Sequence, residues 1–107
     1  MTGHPLCDQV VTLYHHNATG TQRQVVRGCF YRWQQALEEG VLQTRFLLVL
    51  PAGIQVQVGD RVCDGVGPEE ILWESFLPSR IPGVGQVAYV EPYYLDGRLH
   101  HTEAGRK

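Results

Sequence analysis

Lysine is almost missing from this chain: Lys107, the last residue, is the only one, beside eight arginines and eleven acids, for a formal charge of −2. Proteins dedicated to nucleic acid draw their affinity from clustered cations, so this balance argues against that class. Long apolar runs are missing too. The longest, Phe46-Leu-Leu-Val-Leu50, has five residues, whereas a membrane-spanning helix needs roughly 20. Cysteine is sparse and odd in number: Cys7, Cys29 and Cys63 lie far apart, a pattern that predicts free thiols in a reducing compartment instead of a disulfide framework. The opening Met1 to Asp8 has neither the basic start nor the apolar stretch of a signal peptide, so a cytoplasmic location is expected. Repeats, low-complexity blocks and linkers are absent. One domain over residues 1–107 follows.

What is present is strand-forming sequence divided by turns. With 43% hydrophobic residues over 107 positions, a single core can be buried without staples. Val10 to Tyr14 is β-branched and aromatic, and Asn17-Ala-Thr-Gly20 closes it with turn residues. Gln24 to Trp33 predicts a second strand, in which Gly28 marks a bulge or sharp bend. Gln34 to Glu39 admits a short helix or a hairpin arm, and Gly40 ends either. Thr44 to Leu50 predicts a buried strand stopped by Pro51. Ile54-Gln-Val-Gln-Val58 alternates strictly, the pattern of a strand with one wet face; Gly59-Asp60 then turns the chain into Arg61-Val-Cys63. Pro68 to Ser75 predicts the one short helix, with proline at its first position and two acids at its positive end. Pro78 to Gly85 is an irregular crossing. Gln86–Glu91 and Arg98–Thr102 flank Asp96-Gly97 as a terminal β-hairpin. The expected fold class is mainly β: a small β-barrel of five to seven strands, one short helix and a terminal hairpin.

Several groups of residues could carry chemistry. His4-Pro-Leu-Cys7 has ligand-like spacing, and His15-His16 and His100-His101 are pairs. Structural zinc sites, however, combine two close-spaced couples, and adjacent strand histidines point to opposite faces, so no metal or cofactor is expected. Cys29 and Cys63 sit in apolar surroundings that favour core thiols over nucleophiles. Glu38-Glu39 and Glu69-Glu70 are sequence neighbours, which diverge instead of converging on a cleft. Gly65-Val-Gly67 is too short for a phosphate loop. No catalytic residue is assigned, and no enzyme is expected. Most aromatic rings are expected in the core, with Trp73 and Phe76 on one helix face; Tyr93-Tyr94 must turn one ring outward, a mark of an interface.

The order of features, with Gly28-Cys-Phe-Tyr31, Val58-Gly-Asp-Arg61, Gly65-Val-Gly-Pro68 and Pro92-Tyr-Tyr94, resembles the small β-barrel head–tail connector, head-completion and stopper proteins of tailed bacteriophages and prophages. That resemblance covers about residues 8 to 105. It implies a structural role without catalysis: a homo-oligomeric ring between a portal or adaptor ring and tail proteins, through which DNA passes without specific binding. It also implies assembly in a bacterial cytoplasm, a final place at the virion head–tail junction, and no membrane partner. Long excursions tend to carry function, so the interaction residues are expected on the 34–44 hairpin (Gln34, Leu37, Glu38, Glu39), on the crossing (Arg80, Ile81) and at Tyr93 and Tyr94. The alternatives are a small OB- or SH3-like barrel binding nucleic acid through a face built from Arg23, Arg27, Arg32, Arg45, Arg61, Arg80 or Arg98, and another phage minor structural (tail) protein. An enzyme would need a pocket joining Cys63, His15 or His16 and an acid.

Overall fold

A computed structural model describes residues 7–107, so His4 lies outside the described residues. Seven antiparallel strands are present: β1 Gln9–Asn17, β2 Gly20–Glu38, β3 Val41–Pro51, β4 Arg61–Asp64, β5 Gly85–Gln86, β6 Tyr89–Leu95 and β7 Arg98–Arg106. Their order across the sheet is β5-β4-β1-β2-β3-β7-β6.

The long β2 organises everything else. Its first half pairs with β1 and its second half, from Phe30, with β3. The change of partner occurs at Gly28, which is the extra residue between the pairs Gln9↔Cys29 and Val10↔Arg27. Its φ of 75° is the left-handed conformation that a bulge of this kind asks of glycine. Beyond the bend, the Gln9 side chain stands in for a missing strand. Its amide donates to Tyr31 O at 3.1 Å and accepts from Tyr31 N at 2.9 Å.

The expected barrel does not close. The outermost strands, β5 and β6, are joined end to end through Val87 and Ala88 instead of pairing side by side. Those two residues bridge the sheet's ends: Val87 exchanges backbone bonds with Gly59 and Asp60, and the Ala88 amide donates to Gly105 O at 2.7 Å. Val11, Leu13, Val26, Cys29, Tyr31, Phe46, Leu48, Leu50, Val62, Val87 and Ala104 form the main core inside this folded-over sheet.

β1 is buried on both faces, which explains its run of four buried residues, Val11 to Tyr14. Val11 and Leu13 face the main core, while Thr12 and Tyr14 face the 65–84 excursion. There Tyr14, Phe76 and Val84 make a second cluster with Cys63, Ile71 and Trp73. The expected helix over Pro68 to Ser75 is absent; the segment is a series of turns. Eight residues barely repay helix nucleation, and here the carbonyls of Trp73 and Phe76 accept bonds from the buried Arg61 guanidinium. Trp73 and Phe76 still reach the same apolar cluster, through a turn and not a helix.

The second correction concerns Ile54 to Val58, whose alternation is the clearest in the sequence. The segment lies in no ladder. Ile54 and Val56 pack on the main core while Gln55 and Gln57 point to solvent, so the alternation records one inward side as far as Val56 without strand pairing; Val58, 65% exposed, departs from it. The two tight hairpins turn as their sequences require: Asp96-Gly97 has φ of 51° and 77°, and Glu39-Gly40 has 52° and 79°, the double positive pair of a type I′ turn. Residues Gln34 to Glu38 are therefore a strand arm, and the helical option there falls away.

Candidate functional site

Strand lengths differ, and the mismatch leaves two arms without neighbours. The β2–β3 ladder runs from Phe30↔Val49 out to Glu38↔Val41, whereas β7 accompanies β3 only as far as Phe46↔Arg106. Residues 34–45 thus form a ribbon with no third strand. Likewise the β6–β7 ladder continues to Leu95↔Arg98, past the last β3 pair at Pro51↔His101. Because β3 and β7 are antiparallel, these arms leave the sheet at opposite ends.

Both arms carry apolar side chains in solvent. On the first, Leu37 is 74% exposed and Val41 46%; on the second, Tyr94 is 67% and Leu95 61% exposed. Leu37, the exposed leucine of the ribbon tip, gains nothing from this position in the monomer. Glu38 is tied to Arg45 at 2.9 Å from its Nε, and Gln34 and Glu39 are open to solvent. Gln35 and Thr44, directly opposite in the ladder, each bury a side-chain polar atom with no hydrogen-bond partner among the described residues.

Trp33, at the base of this arm, lies against Gly83 of the crossing. The crossing is anchored by the Tyr31 hydroxyl donating to Gly83 O at 3.1 Å, while Arg80 and Ile81 remain exposed. The expected interaction residues therefore fall into two groups at different ends. Gln34, Leu37, Glu38 and Glu39 lie on the first arm, with Arg80 and Ile81 on the crossing that meets its base. Tyr93 and Tyr94 lie on the second arm. Both tyrosine rings are exposed, not one as strand alternation predicts, because β6 is open to solvent on both faces from Glu91 to Leu95; the extra residue opposite them, His100, lies in β7.

Of the arginines considered for a basic face, Arg61 is buried, Arg23 donates to the carbonyls of Gly67 and Pro68, and Arg45 pairs with Glu38. Arg32, Arg45, Arg106 and Lys107 nevertheless line one shallow cleft of about 560 Å³ with Trp33 and Gln34. Nothing local in the sequence ties the two C-terminal members to Arg32.

The expected pocket does not join Cys63 with His15, while His16 stacks on Trp73 at 4.9 Å with its Nδ1 2.8 Å from Thr21 Oγ1. Cys63 pairs with Thr12 in the ladder and packs toward Tyr14, whereas His15 lies on the face shared with Leu13. Burial pushes the Cys63 thiol up and the Cys29 thiol up to about 11, away from the thiolate that a nucleophile needs. His15 instead meets the buried Asp60 at 2.6 Å, in a cleft of about 410 Å³ lined by Gln22, Gln24, Gln55 and Gln57. The second Asp60 oxygen accepts the Gln57 amide at 2.9 Å, so this carboxylate closes the Gly59-Asp60 turn.

Comparison with protein-family models, curated proteins and solved structures returns no match. The arms, the basic cleft and the polar cleft are thus weighed on their own geometry. Among the described residues no group of three or more His, Cys, Asp or Glu side chains is arranged to hold a metal ion, and no helix is long and apolar enough to cross a membrane.

Proposed function

We propose that this chain is a non-enzymatic structural component of a tailed-phage or prophage particle, a head–tail connector or head-completion protein that forms a ring between portal and tail. The observation that carries the reading is the pair of unflanked arms at opposite ends of one sheet, each with apolar side chains in water. A surface at one end that meets a different surface at the other end of the next copy is a heterologous contact, which closes into a ring when the rotation per copy allows. Ribbons with free edges also accept a neighbour's strand by main-chain bonding. An incoming chain laid against the first arm would cover Leu37 and pair with its free main-chain edge.

The resemblance to connector proteins supplies the biological setting, and the near absence of lysine suits a channel wall past which DNA must slide. The raised thiols and the turn-closing role of Asp60 favour a surface-driven function over catalysis. The test is the composition of tailed particles induced from a strain that carries the gene. Quantitative mass spectrometry is expected to find the chain at a fixed ring copy number relative to the portal. Its absence from particles that are complete and infectious overturns the proposal.

A second reading has one observation in its favour, the cleft lined by Arg32, Arg45, Arg106 and Lys107 with Trp33 beside it. Cations around an aromatic ring are the elements of a single-strand binding groove. That reading requires affinity for single-stranded DNA that falls steeply with salt and is lost in R32A/R106A. Retention of the same weak binding in that variant removes the cleft from consideration.

A further inference from the structure

The two arms share one seam. Strand order across this half of the sheet is β2-β3-β7-β6, and each arm begins where the β3–β7 ladder stops. Beyond Phe46↔Arg106 only β2 and β3 continue; beyond Pro51↔His101 only β7 and β6 do. One end of the molecule is therefore a step that lacks β7 and β6, and the other end projects a β7–β6 ribbon. A second copy shifted along the strands, without reversal, sets that ribbon into the step. The order and direction of the strands are then those found inside each copy.

Main-chain groups fix which residues meet. Bonded and non-bonded pairs alternate along an antiparallel ladder, and the two-residue turns make Glu38↔Val41 and Leu95↔Arg98 bonded pairs. Leu42 and Thr44 thus turn their N–H and C=O groups away from β2, toward the side where β7 is missing. Leu99 likewise turns its groups away from β6, toward the side where β3 is missing. Continuing the ladder one residue past Phe46↔Arg106 sets Lys107 opposite Arg45. A Leu99–Thr44 pair would put Arg98 in that same place, which leaves Leu42 as the partner.

We propose that the β7–β6 arm of one copy docks in the step of a second copy, with Leu99 and Leu42 as a bonded pair of a continuous intermolecular sheet. This rests on the assembly reading above and gives it a register. Leu37 lies opposite Leu42 and Tyr94 opposite Leu99, so the docking lines up Leu37, Leu42, Leu99 and Tyr94 in one apolar cross-strand row. Leu37 and Tyr94, both exposed in the single chain, gain neighbours by it. The charges match as well. The Asp96-Gly97 tip arrives at Lys107, beside the cleft that Arg32, Arg45 and Arg106 line. Among the described residues Asp96, Arg106 and Lys107 form no ion pair within the chain. At the other tip, Glu39-Gly40 comes up against Pro51 of the second copy, so successive copies meet at an angle, as a ring requires.

The experiment is disulfide trapping between two chains, L42C and L99C, each in a C7S/C63S background that leaves only the buried Cys29. Bonded partners have Cα atoms about 5.5 Å apart, within the reach of a disulfide. Equal amounts of the two chains, each checked for unchanged circular dichroism, are oxidised together and mapped by mass spectrometry. The mixed dimer joined through positions 42 and 99 is expected to exceed either homodimer several-fold. A chain carrying both substitutions is expected to give multimers, and D96K to cut the mixed yield several-fold at low salt. No mixed dimer, or a mixture at the statistical ratio of random collision, overturns the proposal. That failure, with the chain still present in particles at ring copy number, removes this register and leaves the connector role standing. Trapping at 42 and 99 by a chain that is absent from particles supports the register and overturns the connector role.

Discussion

At the scale of single residues, a few side chains hold the irregular half of the molecule in place. Arg61 is buried and yet charged. Its guanidinium lies 3.7 Å from the Trp73 ring centroid and serves the Trp73 and Phe76 carbonyls, while burial holds it below its usual range. R61A leaves both carbonyls without that donor, for an expected loss of about 2–4 kcal/mol in urea unfolding. R61K should not restore it, since an ammonium lacks the planar fork. Gly67 and Gly105 admit no side chain: a Cβ at the first would strike the Tyr14 hydroxyl and Cys63, and at the second the Phe46 backbone. G105A is expected to cost about 1–3 kcal/mol, because backbone cannot move aside as a flexible side chain does.

Titration offers a further check at this scale. Burial raises the Cys29 thiol from 9.0 to about 11. Above its ordinary value the unfolded chain releases this proton while the folded chain keeps it, so the stabilisation is complete below pH 9 and is lost as pH climbs toward 11. Tyr14 and Tyr31, also raised by burial, extend the loss upward. Urea midpoints are expected to fall between pH 9 and pH 11, with a shallower fall in C29V. An equal slope in C29V would contradict this assignment.

At the scale of elements, the sequence was most legible where turn chemistry is local. Asp96-Gly97 and the bulge at Gly28 could be read directly, because each rests on a backbone angle that few residues tolerate. Pro68 to Ser75 misled because helix-start signals are also local, whereas the donor that claims its carbonyls comes from Arg61 in another strand. Ile54 to Val58 misled for the complementary reason: alternation reports which side is buried and is silent about ladder partners. The arms were legible as excursions, but their opposite directions depend on the β3–β7 register. The His100 bulge depends likewise on pairing with β6. The two arms should be separable from stability. L37S/V41S and Y94S/L95S replace exposed side chains, so each is expected to unfold within about 0.5 kcal/mol of the unaltered chain. A larger loss would show that the arms belong to the monomer's own core.

At the scale of the whole molecule, the arms draw the chain out to 43 × 31 × 21 Å, a body with two distinct ends. The low lysine content, scattered cysteines and apolar arm tips are compatible with a subunit whose work is done by contact with its neighbours. The proposed connector role is tested by assembly in cells. The most direct measurement is particle yield from a lysogen whose copy of the gene carries L37D together with Y94D. Folded variant protein is predicted to accumulate while heads and tails stay unjoined, seen by electron microscopy and by loss of infectious titre. Tailed, infectious particles at the unaltered yield would contradict the account.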